Sequence, residues 1–369
     1  MEPPTPPTGP GAEVIRCELT GDFAPWLAGA GGSIALTTYQ AGKFLLVGWD
    51  GRQVTLLPRN FDRPMGLDAA GRRLVLATRH QLWLLVNSPD LAHDFLEDQP
   101  GRYDALFLPR AAFFTGEVNA HDVALAADGP VFVNTQFSCL AAPGLDCGFL
   151  PRWAPPFVTA LVPEDRCHLN GLALEDGRPR FVTALGATDA AGGWRDGRTT
   201  GGVVIDVPTG EVVVRGLCMP HSPRLHDGAL WVLNSGAGEL LRLDRRTLAA
   251  EVVCELPGYA RGLAFVGPHA LVGLSTIRER HFFSGLPVQA RHPRLRCGQA
   301  VIDTRRGAVV GELEFTAGCT ELYDVRFLPG VFRPMLVNAD QEAARYAVVA
   351  ADRAFWVRPV RDGAGGPPP

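Results

Sequence analysis

Three histidines lie at nearly equivalent places in short phrases that recur along the chain: His121, His168 and His221. A neutral imidazole is the commonest metal-ligating side chain, and three convergent imidazoles leave one coordination position open for water or substrate. Oxygen ligands from Glu321 or Asn170 would favour iron, manganese or calcium over zinc. We therefore predict a divalent metal (zinc, iron or calcium) held by the three histidines. The alternative is that each imidazole bonds a backbone carbonyl where two repeats meet.

Charged and hydroxyl-bearing side chains occur in or beside the same phrases. Arg224 and Arg261 are fixed cations that suit a carboxylate, phosphate or sulfate. Tyr323 would donate to a developing oxyanion, and Glu321 would act as a base if it is desolvated. These four residues are predicted to be catalytic. The alternative for Arg261 and Glu321 is a salt bridge between neighbouring repeats.

Five further polar residues are predicted to bind the substrate. Some belong to the recurring phrases, and the others follow strands that are expected to end nearby. They are Asn170, Asn234, Arg63, Gln40 and Arg278.

The spacing of the phrases predicts the elements that would bring these residues together. The phrases begin at Arg63, Asn119, His168, Met219, Tyr259 and Glu321. The fourth residue of each stands at positions 66, 122, 171, 222, 262 and 324, so the intervals run from 40 (222 to 262) to 62 (262 to 324). Self-similarity at a period of roughly 40 to 60 residues marks a repeat architecture, and β-propellers lie in that range. A propeller gathers the equivalent residues of all its repeats around one central channel.

The clearest repeat spans residues 221–253 and predicts four strands, which make one propeller blade. Asp227-Gly228 turns the chain, and the apolar run from Ala229 to Leu233 is typical of a buried strand. The N-terminal copy at Ser33 has no first strand, whereas the phrase at Glu321 supplies one. The two ends are therefore expected to share a blade and close the ring. We predict an all-β, six-bladed β-propeller; the alternative is seven blades, with residues 334–360 completing the last.

Composition divides the chain into one domain and two tails. Residues 1–20 and 361–369 are rich in proline or glycine and are expected to be disordered. Residues 21–360 are expected to form a single β-propeller domain, in which residues 22–30 look helical. Two long polar insertions, 187–201 and 276–296, are expected on the binding face.

Charge and cysteine usage limit the partners and the compartment. The net charge of −4 gives no basic surface for nucleic acid. No apolar run approaches the ~20 residues of a membrane span, and the start of the chain lacks the apolar stretch of a signal peptide. The eight cysteines are therefore expected to be reduced thiols in the cytoplasm. A small-molecule substrate is the expected partner, with a protein on one propeller face as the further possibility.

Two resemblances to known families extend this interpretation. The phrase His168-Leu169-Asn170-Gly171-Leu172-Ala173, followed by Glu175-Asp176-Gly177, resembles the loop, strand and turn of gluconolactonase, regucalcin and NHL-type six-bladed propellers. In gluconolactonase-like enzymes an asparagine at this place binds the catalytic divalent metal, which the resemblance would assign to Asn170.

Over about residues 26–334 the chain is identified as a member of a family of bacterial conserved hypothetical proteins of the DUF4915 type. The phrases that carry this resemblance are Thr38-Tyr39-Gln40-Ala41-Gly42-Lys43, Arg63-Pro64-Met65-Gly66-Leu67, Asp165-Arg166-Cys167-His168-Leu169-Asn170-Gly171, Met219-Pro220-His221-Ser222-Pro223-Arg224, Phe283-Ser284-Gly285-Leu286-Pro287 and Glu321-Leu322-Tyr323-Asp324-Val325. The family has no assigned activity, so the resemblance implies no reaction.

The leading hypothesis is a metal-dependent enzyme, a lyase, hydrolase or isomerase, that acts on a small polar or anionic substrate in the central channel. One alternative is a non-catalytic propeller that binds a protein or a small ligand. Another is histidine-mediated group transfer without a metal.

Overall fold

Short apolar runs separated by tight turns build most of the molecule. A computed structural model describes residues 14–277, 285–351 and 353–358. The described strands are β1 (Arg16–Gly21), β2 (Gly32–Thr37), β3 (Lys43–Trp49), β4 (Val54–Asn60), β5 (Leu67–Ala70), β6 (Arg73–Ala77), β7 (Gln81–Asn87), β8 (Ala105–Phe114), β9 (Ala120–Ala126), β10 (Gly129–Asn134), β11 (Cys139–Ala142), β12 (Leu150–Trp153), β13 (Leu169–Glu175), β14 (Arg178–Ala184), β15 (Gly202–Asp206), β16 (Val212–Leu217), β17 (Pro220–His226), β18 (Ala229–Asn234), β19 (Glu239–Asp244), β20 (Ala250–Glu255), β21 (Tyr259–Val266), β22 (His269–Ser275), β23 (Gly298–Asp303), β24 (Ala308–Ala317), β25 (Asp324–Pro329), β26 (Pro334–Leu336), β27 (Ala347–Val349) and β28 (Ala354–Trp356).

Helices are few and short. They are α1 (Phe23–Gly29), α2 (Pro89–His93), α3 (Pro287–Arg291) and α4 (Glu342–Tyr346), with 3-10 turns at Tyr39–Ala41 and Gly193–Arg195. Among the residues that the structure describes, no helix has the length and apolar character needed to cross a membrane. The prediction that residues 22–30 are helical is confirmed by α1.

Six sheets, each built on four antiparallel strands, form the six blades of a propeller. Blade I contains β25 and β2–β4, blade II β5–β8, blade III β9–β12, blade IV β13–β16, blade V β17–β20 and blade VI β21–β24. The innermost strands β25, β5, β9, β13, β17 and β21 each pack against the next, and β21 packs against β25 to complete the ring. The predicted six-bladed fold is confirmed.

Blade V shows how the sequence specifies a hairpin and a buried strand. Asp227 and Gly228, between β17 and β18, have φ angles of 47° and 72°. Positive φ at both central residues is what a two-residue type I′ hairpin requires, and Asp-Gly supplies it at low cost. Strand β18 lies between β17 and β19, and Leu230 and Leu233 within it are completely buried. The turn pair and the apolar run therefore specify this hairpin locally.

Blade I joins the two ends of the chain, as the sequence predicts. Strand β25 pairs antiparallel with β2, from Asp324 opposite Thr37 to Pro329 opposite Gly32. The innermost strand thus comes from the C-terminal part of the chain, and the three outer strands come from the N-terminal part. This closure leaves no open ends in the ring of blades.

Two strands extend blades at their outer edges. β1 pairs with β24 as a fifth strand of blade VI, and β26 pairs in parallel with β8 of blade II. Residues 16–20, expected to be disordered, therefore lie in β1. The seventh-blade alternative is not realised, because β26 joins blade II and β27 pairs with β28 as a separate hairpin.

The seams between innermost strands are of two kinds, which alternate around the ring. In blades II, IV and VI the fourth residue of the phrase is Gly66, Gly171 or Gly262. A Cβ added at Gly66 would lie 2.6 Å from the Cα of Asp122 in blade III, and one at Gly262 would lie 2.8 Å from that of Asp324 in blade I. One added at Gly171 would lie 3.0 Å from the backbone nitrogen of Ser222 in blade V. Glycine is therefore required at three seams by the close approach of the next blade.

The other three seams are joined by a side chain from the same phrase position. Asp324 of blade I accepts a hydrogen bond from the backbone N–H of Leu67 at 2.9 Å, and Asp122 of blade III accepts one from Leu172 at 3.0 Å. Ser222 of blade V accepts from the N–H of Gly262 at 3.0 Å.

Candidate functional site

A cavity opens at the mouth of the channel where the innermost strands begin. It encloses about 250 Å³, and all six blades contribute to its walls. Its lining residues are Tyr39, Gln40, Met65, Asn119, His121, Asp165, His168, Leu185, Trp194, Arg195, Met219, Tyr259, Arg261, Ser275, Thr276, Ile277, Glu321 and Tyr323.

The first and third residues of the phrases supply half of this lining. The first-residue members are Asn119, His168, Met219, Tyr259 and Glu321, and the third-residue members are Met65, His121, Arg261 and Tyr323. Four first residues have φ between 46° and 51°: Arg63, Asn119, His168 and Met219. Because several blades share this left-handed backbone, it is part of how the chain enters an innermost strand and is not a strain specific to one reactive residue.

The structure brings six of the predicted site residues to the cavity and places five others elsewhere. Those that line it are Gln40, His121, His168, Arg261, Glu321 and Tyr323. Those outside its lining are Arg63, Asn170, His221, Arg224 and Asn234. Arg278 lies outside the described residues.

His168 forms a pair with a carboxylate that the sequence did not single out. Its Nδ1 donates to Asp165 at 2.9 Å, and Asp165 also accepts a hydrogen bond from the indole Nε1 of Trp194 at 3.1 Å. The rings of His168 and Trp194 lie 4.5 Å apart. This arrangement protonates Nδ1, fixes the ring and leaves Nε2 as the nitrogen with a lone pair.

His121 lies beside His168, with ring centres 4.7 Å apart. Its Nδ1 approaches the carbonyl oxygen of Asn119 at 3.1 Å and the hydroxyl of Thr135 at 2.8 Å. A carbonyl can only accept, so Nδ1 carries the proton and Nε2 carries the lone pair. Burial, with His168 and Arg261 nearby, holds the pKa of His121 well below its ordinary value. At neutral pH this side chain is an uncharged acceptor.

His221 is buried below the cavity wall. Its Nδ1 donates to the carbonyl of Met219 at 2.9 Å and lies 3.1 Å from the hydroxyl of Ser235. Its Nε2 is buried without a hydrogen-bond partner among the residues described. Burial, together with Arg261 and His121, holds the pKa of His221 well below its usual range.

Two of the three predicted metal ligands, His121 and His221, make the backbone-carbonyl contact of the alternative interpretation, whereas His168 bonds the Asp165 carboxylate. Across residues 14–277, 285–351 and 353–358, no group of three or more His, Cys, Asp or Glu side chains is arranged to hold a metal ion.

Arg261 is clamped between a carboxylate and two aromatic rings. Its Nη1 bonds Glu321 at 3.0 Å, a link between blades VI and I. Its guanidinium carbon lies 5.4 Å from the ring centre of Tyr259 and 4.7 Å from that of Tyr323. Such cation–π contacts strengthen when they are desolvated, and Arg261 is only 8% exposed. The salt-bridge alternative for Arg261 and Glu321 therefore describes their contact, although both residues also line the cavity.

Tyr323 presents a protonated hydroxyl. Its side chain stacks on Tyr39 with ring centres 5.5 Å apart and lies 5.6 Å from His121. Burial raises its pKa well above the ordinary value, although Arg261 acts in the opposite direction. The hydroxyl therefore remains a donor at physiological pH, as the oxyanion role assigned to it requires.

Arg224 lies within the channel, in what we call the channel ion network: Asp68, Asp122, Asp324, Arg224 and Arg326. Arg224 contacts Asp122 at 3.0 Å and Asp324 at 3.6 Å, and Arg326 contacts Asp68 at 3.0 Å and Asp324 at 2.8 Å. Arg224 also donates to the carbonyls of Leu172, Pro223 and Leu263. These contacts join several blades. Arg224 therefore has structural contacts and does not line the cavity.

The other predicted binding residues also have structural contacts. Asn170 accepts a bond from Thr183 at 2.6 Å, and Asn234 accepts one from the backbone of Cys218 at 2.7 Å. Arg63 is exposed and lies 3.5 Å from Glu117.

The insertion at 187–201 reaches the cavity, as expected for a binding face. It delivers Trp194 and Arg195 to the wall. Asp189 at its start accepts hydrogen bonds from the backbone and hydroxyl of Thr159 at 3.0 and 2.6 Å and from Arg166 at 2.7 Å. These contacts hold the pKa of Asp189 down at about 2. The insertion is thereby fastened to the segment between β12 and β13.

Asp165 and Trp194 are parts of the site that were not predicted from the sequence. An acidic residue three positions before a channel histidine was the available signal, because a left-handed backbone at Asp165 and at His168 folds the segment back on itself. Trp194 carries no such local signal, since its approach to His168 depends on the fold of the whole insertion.

Comparison with known proteins identifies the family. Residues 21–337 match the family described as domain of unknown function DUF4915. The chain belongs to this family. No curated protein matches the sequence of this DUF4915 chain.

Two solved structures match this DUF4915 chain. One is a protein of unknown function from Bacteroides caccae, with a TM-score of 0.50 at 10% identity over 81% of this chain and 99% of that one. The other comes from a nidogen/laminin complex, with a TM-score of 0.49 at 11% identity over the same shares. At this level of identity the likeness of the first concerns the fold alone.

Proposed function

We propose that the protein is an enzyme that transforms a small polar or anionic molecule in the mouth cavity by proton transfer. The observation that carries this proposal is the pair of His168 and Asp165, whose hydrogen bond leaves the Nε2 of His168 as a base in the cavity wall. The carboxylate would stabilise the imidazolium that forms when Nε2 takes a proton, as in other histidine–aspartate pairs.

The surroundings of this pair support general acid–base chemistry. Neutral His121 lies beside His168, and the hydroxyl of Tyr323 supplies a proton donor 5.6 Å, ring centre to ring centre, from His121. Arg261 would orient an anionic group. The volume of about 250 Å³ is below the ~300–1,000 Å³ that drug-sized ligands occupy, which favours a metabolite. Lyase, hydrolase and isomerase reactions all fit this set of groups.

The test is conversion of an unknown substrate in a small-molecule extract of bacterial cells, followed by mass spectrometry. The wild-type protein is expected to consume at least one metabolite. His168→Gln and Asp165→Asn are expected to slow this conversion, the former by about 10²–10⁴-fold, the usual contribution of a general base.

A matched control is available outside the cavity. His93 and Asp94, on and beside α2, form a second histidine–aspartate pair at 2.6 Å that is exposed, so His93→Gln should leave conversion unchanged. An extract that stays unaltered, or equal conversion by His168→Gln, would overturn the proposal.

A metal-dependent version of the same enzyme is the second candidate. All three histidines have Nδ1 engaged by an oxygen atom, namely Asn119 O, an Asp165 carboxylate oxygen and Met219 O. Metal-ligating histidines usually donate one ring nitrogen in this way and bind the ion through the other. His121, His168 and His221 would then hold zinc, iron or calcium through Nε2.

Metal analysis of protein purified without an affinity tag tests this candidate. Stoichiometric metal that is lost in His121→Ala and His221→Ala supports it. Absence of metal, with conversion that is unaffected by chelators, contradicts it and leaves the metal-free enzyme.

A further inference from the structure

Two hydrogen-bond donors in the cavity wall lack an acceptor in the part of the chain that the structure describes. They are the Nε of Arg261 and the hydroxyl of Tyr323. Both residues are more than nine-tenths buried, at 8% and 6% exposed, and they are in contact through the cation–π pair. A buried donor without a partner is energetically unfavourable, because its bonds to water are lost and not replaced. Adjacent unsatisfied donors of this kind are suited to a ligand that brings two acceptor atoms.

A carboxylate fits these donors better than a phosphate or sulfate. It offers two oxygen atoms, one for each donor, and a single charge. The charged side chains of the lining are Arg261 and Arg195 against Glu321 and Asp165, two of each sign. A dianion would therefore leave a net charge of −2 in a largely buried site, whereas a carboxylate leaves −1 beside a buried guanidinium.

Two acceptors face the same cavity beside these donors. In the neutral rings, Nε2 of His121 and Nε2 of His168 carry the lone pairs, and neither is hydrogen-bonded to another described residue. The His121 ring lies 4.7 Å from that of His168 and 5.6 Å from that of Tyr323. A ligand held by Tyr323 and Arg261 would thus need its own donor within a few ångströms of its carboxylate.

A neutral donor suits these acceptors better than a charged one. The His121 ring lies 5.6 Å from that of Tyr323, and the buried guanidinium of Arg261 packs on the same tyrosine ring. A ligand ammonium beside His121 would lose its hydration and lie close to this positive charge. A hydroxyl group escapes both penalties and donates equally well.

We propose that the ligand of this cavity is a small hydroxycarboxylate, with its carboxylate on Arg261 and Tyr323 and a nearby hydroxyl on His121 or His168. This inference rests on the proposed function in one respect: both assign a small ligand to the same cavity. In an enzyme, the hydroxyl or the carbon next to it would then lie beside the base, His168.

Calorimetric binding with matched probes tests the inference. Glycerate, threonate and gluconate are each compared with the polyol of equal length (glycerol, threitol, sorbitol) and the unsubstituted carboxylate (propanoate, butanoate, hexanoate). At least one hydroxycarboxylate should bind about tenfold or more tightly than both of its counterparts, which corresponds to 1.4 kcal/mol. The amino acids alanine and 2-aminobutanoate, which carry an ammonium and no hydroxyl, should bind no better than the unsubstituted acids.

Two conservative variants tie that binding to the predicted donors. Tyr323→Phe removes one hydroxyl that has no partner among the described residues, so the fold is expected to survive, and binding should weaken about tenfold or more. Arg261→Lys keeps the charge and removes Nε, with the same expected loss. The controls are Tyr346→Phe, at a hydroxyl bonded to Glu342 on α4, and Arg242→Lys, at an exposed pair with Glu251.

The outcomes separate this inference from the proposed function. If no hydroxycarboxylate is preferred, or Tyr323→Phe binds like wild type, the ligand class is wrong, even if an extract is still converted through His168. If a hydroxycarboxylate binds through Tyr323 and Arg261 but His168→Gln changes no conversion, the ligand class stands and the enzyme proposal fails.

Discussion

Asp122 carries more structural contacts than its single position in a phrase suggests. Its carboxylate accepts backbone hydrogen bonds from Val123 and Leu172 and faces Arg224 and Arg326 at 3.0 and 3.6 Å. Only 5% of its side chain is exposed. Removing one partner from a buried charge network leaves the opposite charges unpaired, and this is usually more costly than the network was favourable.

We therefore expect Asp122→Ala to lower the free energy of unfolding by about 3 kcal/mol or more. Chemical denaturation with circular dichroism measures the change. Asp128→Ala, at an exposed residue between β9 and β10, should change stability by less than about 0.5 kcal/mol. Similar losses in the two variants would show that the channel ion network is not important to stability.

His221 makes stability depend on pH. Its pKa in the folded protein lies well below the ordinary value of 6.5 because it is buried near Arg261. Below about pH 6.5 His221 becomes protonated in the unfolded chain but stays neutral in the folded protein. The contribution of His221 to folding stability is therefore fully present above that pH and is lost as the pH falls. Between pH 7.5 and 5.5 the loss is about 1 kcal/mol.

The prediction is tested by comparing wild type with His221→Asn, which can still donate to Met219 but does not titrate. The wild type should lose about 1 kcal/mol more than the variant over this pH range. The comparison is needed because burial raises the pKa of Asp324 to about 6. Proton uptake by folded Asp324 stabilises the protein as the pH falls, and this opposite contribution is common to both proteins. Parallel pH profiles would contradict the prediction.

At this scale the sequence could predict which residues converge, but not their contacts. His121, His168, Arg261, Glu321 and Tyr323 follow from phrase position, because the fold repeats the same geometry in each blade. The direction of each side chain could not be predicted in this way. His221 stands at the same phrase position as His121 and Arg261, yet it is buried below the cavity wall. Contacts of this kind depend on neighbours from other blades, which no local pattern encodes.

Among the elements, the insertion at 187–201 contributes most directly to the cavity. It places Trp194 against His168, and Asp189 fastens it through Thr159 and Arg166. Asp189→Ala removes all three hydrogen bonds at once. We expect trypsin to cleave after Arg195 or Arg198 about tenfold faster in this variant, because cleavage of a folded protein follows the population of locally opened states.

Mass spectrometry of the cleavage products measures this effect. Asp196→Ala changes an exposed carboxylate of the same insertion and serves as the control. Equal cleavage rates in Asp189→Ala and wild type would mean that the contacts to Thr159 and Arg166 do not hold the insertion in place.

Edge strands are harder to predict from the sequence than inner strands. An inner strand such as β18 is marked by an apolar run, because both of its faces are covered. Strand β1, in contrast, is exposed at nearly every residue and pairs with β24 through its backbone. Backbone hydrogen bonding requires no apolar pattern, so residues 16–20 resemble a disordered tail in sequence.

For the whole molecule, ring closure depends on one strand. β25 is the innermost strand of blade I and packs against β21 and β5 on either side. A chain that ends at Gly318 would expose the edge of β2 and the flanks of two neighbouring blades. We expect it to be insoluble or to lack a cooperative unfolding transition.

Co-expression of residues 319–358 as a separate chain provides the control. Restored solubility with a cooperative thermal transition would show that the missing strand, and not the shortened length, causes the defect. A soluble, cooperatively folding chain 1–318 on its own would contradict this view of closure.

The overall architecture could be predicted because a six-fold repeated phrase specifies both the number of inner strands and their order around the ring. Closure through a shared blade followed from one copy that lacked a first strand and another that supplied it. The alternation of seams was not predicted, although Gly66, Asp122, Gly171, Ser222, Gly262 and Asp324 all stand at one phrase position. The type of each seam depends on which two blades are neighbours in the folded ring.

Because the two kinds of seam alternate, the ring must contain an even number of blades. At each glycine seam the backbone of the following blade approaches closely, and at each Asp or Ser seam the side chain accepts a hydrogen bond from the backbone of the following blade. The repeating unit is therefore a pair of blades, and the ring contains three such pairs. Adding or deleting a single blade would set two seams of the same kind side by side, with either a gap or a clash between them. We therefore expect that larger propellers built on the same alternation of seams have eight blades and not seven, which their structures would test.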